Sequence, residues 1–480
     1  MKWLFILTCL SAGLQEGHVV KFSTNFDSGS IGKVTLIDSV WVRPSRTDSV
    51  LHLSYEIISR SDPDNPANPE LKPSARWFYF MMEGVRGKHI YLDFKNTDPM
   101  RAVYSYDGKH FQRFEDYQAS MRKVSSFFSR DTVYVAYFVP YGWELLQERL
   151  KHWTASPCVA MDTLGTSMMG LPIQILTITD PLVPDKGKNR IWIHARVHPS
   201  ESPANWQLDG LLGRLTEDSP VARQYRRQSV FYVVPFANPD GVYGGYSRSN
   251  ARGINQEINW DHNDSLTSVE VQFLRARMDS FMQEQPFDLV LNMHAQSDDK
   301  ISYYVPTLES TNPEYHQKAM HLAYLTTDEN PYFFMEDMFY SSPAPRYVEG
   351  WIWNRTKGET LAMTIEMPYS FYNNNPGRPW VTVTSLRKNG ELMLRAISDF
   401  FGWNIPGRYI LKGTIRGKKT VYRYENLPAG EYQVFIWKDA WVPFDDVVQK
   451  RTGIFRCVIR TDREPYTGPL RVSQKATWQN

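Results

Sequence analysis

The chain has 480 residues, 42% of them hydrophobic and 22% charged, with a formal net charge of +2. That length supplies two to four domains with buried cores, and the balance is that of a globular protein rather than a disordered one. The near-neutral charge carries no concentrated basic stripe, which excludes a nucleic-acid partner; the short run around Arg416, Lys418 and Lys419 reads as a solvated turn.

The N-terminus has one positive charge at Lys2, a short apolar run from Trp3 to Leu10, and small residues near Gly13. This is the pattern of a signal peptide over residues 1–17, and it predicts an exported protein, periplasmic or extracellular. A buried first strand is the rival reading of the same run. Cys9 fits a lipidation pattern poorly. No other segment has enough consecutive apolar residues to span a bilayer, so no transmembrane segment is expected. Cys158 and Cys457 remain; two cysteines do not make a disulfide scaffold, and their spacing is not that of a zinc finger.

From residue 18 to about 145 the chain reads as a β-sandwich. Alternating runs recur at Lys33–Val40, Leu51–Ile57, Arg76–Met82, Ile90–Phe94 and Thr132–Val139, punctuated by Gly, Pro, Asn and Asp. The Pro-rich stretch from Asp62 to Pro73 reads as a surface loop. Residues 146–403 alternate strands with helices. Strands are expected at Ile191–Val197, Val230–Pro235, Leu289–Met293 and Thr360–Ile365. Helices are expected at Gly142–Trp153, Ala204–Leu215 (amphipathic) and Ser268–Gln283. The fold class is α/β with a mixed sheet. Residues 404–480 return to short strands, as in Tyr409–Ile415 and Glu431–Trp437, and read as a small all-β module.

The chemistry begins at Arg196-Val-His198-Pro-Ser-Glu201, which follows a strand and leads into a helix. In open α/β sheets, sites form beyond the carboxyl ends of strands. A histidine and a glutamate three apart at such a turn can face one metal ion. Two imidazoles and one carboxylate leave a zinc ion positive and with an open position, the arrangement that activates water. Alone the pair is no more than chance supplies. His294 ends the run Asp288–Met293 and is followed by the polar Ala295-Gln-Ser-Asp298, which makes it available as a third ligand. Glu366 ends another strand, Ala362–Ile365, amid apolar neighbours. A lone carboxylate there is costly unless it is used, either as a general base with a raised pKa or in a structural ion pair. Asn238-Pro-Asp-Gly241 makes a tight turn. Beyond it, Arg248 and Arg252 carry forked donors suited to an oxyanion or a substrate carboxylate.

Taken in order (strand, His-x-x-Glu, helix; strand, Asn-Pro-Asp-Gly; Arg-x-Asn-Ala; strand, His; strand, Glu) the motifs resemble the zinc carboxypeptidase family, also called funnelins, over about Thr154–Trp403. The run Trp77-Phe-Tyr-Phe80 and the ending Ala136–Tyr141 look like the N-terminal domain of the cytosolic carboxypeptidase subfamily. The resemblance implies one Zn2+ held by His198, Glu201 and His294, with Glu366 as general base and Arg248 polarising the scissile carbonyl. It implies a peptide or peptide-like substrate and removal of C-terminal residues. Asn259 fits the family's asparagine in the grip on the terminal carboxylate, and Trp260 stands where its arginine is expected. Arg252, Arg346, Arg355 and Lys357 are the cations that could replace it. Tyr340 and Tyr347 are candidates for the family's mobile tyrosine. Two alternatives stay open: a zinc amidase or endopeptidase of the same fold acting on peptidoglycan peptides or other amides, and a non-catalytic binding protein with a decayed site.

Overall fold

The structure, a computed structural model, describes residues 20–475 except 44, 46, 47, 66–69, 71 and 463. The leader expected over residues 1–17, and with it Cys9, lies outside the described residues. Among them no helix is long and apolar enough to cross a membrane, and Cys158 and Cys457 are free thiols.

The first part holds two five-stranded sheets. One runs in the order Lys21–Ser23, Tyr79–Glu83, Thr132–Ala136, Val103–Ser105, Gln112–Arg113; the other Lys33–Val42, Val50–Ile58, Lys88–Phe94, Lys123–Phe127, Ala119–Ser120. Val50–Ile58 alternates buried and half-buried positions along its length, as a strand with one face on a core does. Its neighbour Lys88–Phe94 runs parallel to it.

The middle of the chain forms an eight-stranded mixed sheet in the order Val159–Thr166, Pro172–Ile178, Ser229–Val234, Asn189–Ala195, Leu289–Gln296, Leu361–Pro368, Ser302–Pro306, Met338–Ser341. The four strands Ser229–Val234, Asn189–Ala195, Leu289–Gln296 and Leu361–Pro368 are mutually parallel. From Asn189–Ala195 the chain passes first to one neighbour and later to the other, so a crevice opens at the carboxyl ends of these strands. Every residue named above for the metal and the base lies at those ends.

The helix Ser202–Thr216, expected to be amphipathic, is instead buried nearly all round. It is held between the sheet and the helix Val383–Phe401, which the sequence reading did not contain. The two helices meet at glycines. A Cβ on Gly210 would lie 2.0 Å from the Arg387 carbonyl oxygen, and one on Gly390 would lie 1.9 Å from that of Gln207. Glycine at these positions is what lets the backbones touch.

The last part forms a four-stranded sheet (Arg408–Leu411, Leu470–Gln474, Gly430–Trp437, Trp441–Gln449) and a three-stranded one (Thr414–Arg416, Lys419–Leu427, Gly453–Arg460). Arg416 and Lys419 close a hairpin, in keeping with the solvated turn expected there. Buried charges tie these strands to the preceding helices. Asp328, just after the helix Pro313–Thr327, accepts from Arg408 at 3.0 Å and from Arg471, while Asp399 of Val383–Phe401 takes the Arg408 Nε–H at 2.8 Å.

One carboxyl in the core has a consequence for stability. Glu349, on the helix Val348–Thr356, is buried and bonded to Thr364. Burial pushes it up from 4.5 to about 7. Between those values the native state holds a proton that the unfolded chain releases, so this group makes stability fall as pH rises through the window. The effect is on the order of 3 kcal/mol. Glu349→Gln is expected to flatten this dependence: the melting temperature lost between about pH 5 and pH 7.5 should be smaller in the variant than in the wild type. Equal losses would show that Glu349 does not exchange its proton in that range.

Candidate metal and catalytic site

The turn after Asn189–Ala195 is shaped by Arg196, which takes a left-handed φ of 63°. Its buried guanidinium gathers the turn inward, donating to the carbonyls of Pro199 (2.7 Å) and Tyr141 (2.9 Å) and to Asn205 Oδ1 (2.9 Å). The chain curls around this cation and delivers His198 and Glu201 to the same point. Glu201 is the cap of Ser202–Thr216, and Pro203 follows at the helix start, where its missing N–H costs nothing.

His294 arrives from the adjacent strand Leu289–Gln296. His198 Nδ1 lies 2.9 Å from Glu201 Oε1, His294 Nδ1 lies 2.8 Å from Glu201 Oε2, and the two Nδ1 atoms are 3.2 Å apart. The Ala295 N–H also donates to Glu201 Oε2 at 3.1 Å. All three side chains are buried, with ligand atoms within 4.8 Å of one another. Burial pushes the Glu201 carboxyl up, but His198 and His294 outweigh it and hold it well below the ordinary range. The far nitrogen of His198 is used too: Nε2 lies 3.1 Å from Asn255 Oδ1 and 3.2 Å from Glu257 Oε2. A proton fixed on Nε2 leaves Nδ1 free to bind a metal, which is how second-layer partners orient ligating imidazoles. Two imidazoles and one carboxylate converging on one point are the donor set of a zinc site with an open position.

Glu366 pairs in register with His294 across the parallel strands Leu289–Gln296 and Leu361–Pro368. Its Oε2 is buried and has no hydrogen-bond partner among the described residues. Burial, together with the negative charges of Glu201 and Glu257, pushes its carboxyl well above the ordinary range, against Arg248 and Arg76.

Arg248 lies on the loop after the helix Pro239–Gly244 and donates to Glu257 Oε2 at 2.8 Å. Glu257 therefore bridges Arg248 and His198. Burial raises its carboxyl, but His198, His294 and Arg248 together bring it down to about 2.

These contacts correct the expected carboxylate grip. Trp260 does not face the cluster of ligands. It is 1% exposed, with its ring 5.5 Å from that of Trp351 and 5.7 Å from that of His194. Asn259 is also structural, its Nδ2 donating to the Asn255 carbonyl at 3.1 Å. A single turn of 3-10 helix, Gln256–Ile258, precedes Asn259, and Glu257 is the residue it presents to the site. Arg252 is exposed. Arg355 pairs with Asp279 over the Trp351 ring, beside a cavity of about 600 Å3 that none of the metal-site residues lines. Tyr340 lies on the outermost strand, Met338–Ser341, and is 52% exposed. Tyr347 precedes the helix Val348–Thr356 and bonds Arg346 at 3.2 Å. Tyr304, on the strand Ser302–Pro306, has its hydroxyl pushed up by burial and then by the negative charges of Glu366, Glu257, Asp298 and Glu201. No strand was expected there, and the sequence did not mark Tyr304 as a candidate. Asp62, expected on a surface loop, is buried, and its carboxylate accepts from the loop that carries Arg248.

Comparison with known proteins agrees with this geometry. The family model described as zinc carboxypeptidase matches residues 150–395, and that described as cytosolic carboxypeptidase N-terminal domain matches residues 22–138. The chain belongs to the zinc carboxypeptidase family. It is 28% identical over 320 residues to an uncharacterised protein of Zymomonas mobilis, covering 63% of this chain and 80% of that one. It is 26% identical over 287 residues to cytosolic carboxypeptidase 6 of Mus musculus, covering 54% of this chain and 49% of the other. The match thus spans about half the length of that relative. The crystal structure of a metallo-carboxypeptidase from Burkholderia cenocepacia superposes with a TM-score of 0.65 at 25% identity, covering 80% of this chain and 99% of that one. Zinc is the metal of this family, and the residues His198, Glu201 and His294 fit it.

His198→Ala and His294→Ala each remove one of three protein ligands. Elemental analysis of the purified variants is expected to show zinc well below one per chain, with far-ultraviolet circular dichroism unchanged. Full zinc occupancy in either variant would refute its place among the ligands.

Proposed function

We propose that this protein is a zinc metallocarboxypeptidase that hydrolyses the C-terminal peptide bond of peptide substrates. The observation that carries this reading is the convergence of His198, Glu201 and His294 on one point, with Glu366 opposite His294 on the neighbouring strand. Zinc, when bound, supplies a Lewis acid and makes a water acidic enough to ionise near neutral pH. Glu366, with its free Oε2, accepts the proton of that water and returns it to the leaving amine. Arg248, paired with Glu257 and still partly exposed, donates to the carbonyl oxygen as negative charge gathers there. Asn255 and Glu257 keep the His198 ring turned so that Nδ1 faces Glu201 and His294, where it would serve as a ligand.

One observation favours a second reading, an amidase or endopeptidase on the same fold. A carboxypeptidase reads the chain end by pairing its carboxylate with a cation. Among the described residues, the cations that act most strongly on Glu366 are Arg248 and Arg76. Each already faces a carboxylate, Glu257 at 2.8 Å and Asp98 at 2.5 Å. For the chain end to be read, one of these pairs opens or shares its arginine with substrate. The apolar run near the N-terminus supports export of the protein; detection of the tagged chain in the periplasmic or extracellular fraction tests this.

Glu366→Gln keeps the shape of the side chain but cannot carry a proton. It is expected to retain one zinc per chain and lose about 100-fold or more in kcat; near-normal turnover would remove Glu366 from the mechanism. Matched peptides with free-acid and amidated C-termini separate the two readings. The carboxypeptidase reading expects the free acid to be cleaved at least about tenfold faster, the worth of one charge-assisted pair. Equal rates would leave the amidase or endopeptidase.

A further inference from the structure

The loop that carries Arg248 is held from outside the α/β layer. Asp62, which follows the strand Val50–Ile58 of the N-terminal sheets, is 6% exposed. Its carboxylate accepts three consecutive backbone N–H groups: Ser247 at 2.6 Å on Oδ1, and Arg248 at 2.7 Å and Ser249 at 2.9 Å on Oδ2. Successive N–H groups turned to one side form a concave anion site, so this carboxylate dictates the backbone conformation at Arg248. The grip is reciprocal. Ser247 Oγ accepts the N–H groups of Arg76 (2.8 Å) and Trp77 (2.9 Å), and the Arg60 guanidinium donates to the carbonyls of Gly244 and, at 2.9 Å, Gly245. The next turn packs on the same segment: a Cβ on Gly253 would lie 2.4 Å from the carbonyl oxygens of Pro63 and Asp64. On its other side the loop meets the metal turn, the Ser247 carbonyl accepting from Ser200 Oγ at 2.7 Å.

By contrast, the Arg248 side chain itself is 41% exposed and has one carboxylate partner, Glu257. Its placement therefore comes from its backbone. An oxyanion donor must stand within a few tenths of an ångström of where charge develops, and an error of about 1 Å can cost on the order of 100-fold in rate.

We propose that Asp62 is a positioning residue of the active site, through which the N-terminal β-sheet module sets the location of the Arg248 guanidinium during catalysis. The proposal rests on the hydrolase reading above and assigns to the module a direct part in the rate. Asp62 touches neither metal nor substrate; it acts through Arg248.

Asp62→Asn tests this, because an amide sets N–H against N–H in the same space. In the zinc-loaded variant kcat is expected to fall about tenfold or more, with KM changed less than about threefold and one zinc per chain retained, since the loss falls on the transition state. In an Arg248→Ala background the same substitution should lower kcat by less than about twofold, because residues acting as one unit are not additive. A loss of equal size in both backgrounds, or a kcat within about twofold of wild type, overturns the proposal. Should Asp62→Asn fail to fold, Ser247→Ala, which removes the acceptor for Arg76 and Trp77, is compared in the same two backgrounds with the same criteria. Hydrogen exchange supplies a readout independent of turnover. The amides of Ser247, Arg248 and Ser249 should exchange faster in Asp62→Asn than in wild type, and unchanged protection overturns the proposal. Wild-type protein that loads zinc and hydrolyses no peptide or amide would sink the hydrolase reading instead, while faster exchange at those three amides would still support the hold of Asp62 on the loop.

Discussion

Glu201 is a buried carboxylate to which, among the described residues, no lysine or arginine is bonded, and much of the structure follows from accommodating it. It is bonded by two imidazoles and one backbone N–H. An ionised carboxylate out of water is costly unless it is paired or bound to a metal. Both imidazoles can meet it through Nδ1 only if their other faces are otherwise occupied or enclosed. That requirement explains the Asn255 and Glu257 contacts on His198 and the sheet that encloses His294. It also explains Arg196, strained into a left-handed conformation so that its guanidinium can hold the turn from behind. A divalent cation held by His198, Glu201 and His294 would balance that negative charge, and Glu366, in register with His294, is the further carboxyl beside these ligands.

The electrostatics of the cleft are layered. Closest to the metal position, the carboxylate of Glu201 faces two imidazoles. Behind His198, Glu257 faces Arg248. On the other side, Asp98 faces Arg76. Each cation near the base is thus matched by an acid, which keeps the buried charge in balance without neutralising the field at the reacting bond. The pairing also means that Arg248, the more exposed member, already has Glu257 as a partner before any other group reaches it.

Much of the α/β layer was legible from the sequence, because parallel strands buried on both faces read as apolar runs and the residues that end them are polar. Thus His294 and Glu366 stood out as polar residues at the ends of such runs, and the structure sets them side by side. The helix Ser202–Thr216 was legible as a helix but not as a buried one; its packing depends on Gly390, about 180 residues away. Trp260 was singled out by resemblance alone, and a motif carries no mark of which way a ring turns; the structure buries it beside Trp351 and His194. Asp62 could not be found by spacing, since its partners lie 185 to 187 positions further on and are backbone groups common to every residue. A Pro-rich stretch carries no mark of which carboxylate in it faces inward.

The charges that join the C-terminal strands to the helices set the mechanical character of that module. Arg471 is 1% exposed and shares Asp328 with Arg408. Such a joint has no half-open state. Parting it would strand ions in a low-dielectric gap until water floods in, a step costing several kcal/mol for each unpaired charge. An apolar seam can slide, because one methyl group is as good as the next; a lattice of paired ions has one register. The C-terminal strands therefore extend the enzyme as a fixed buttress, and whatever they meet they meet at a constant angle to the cleft.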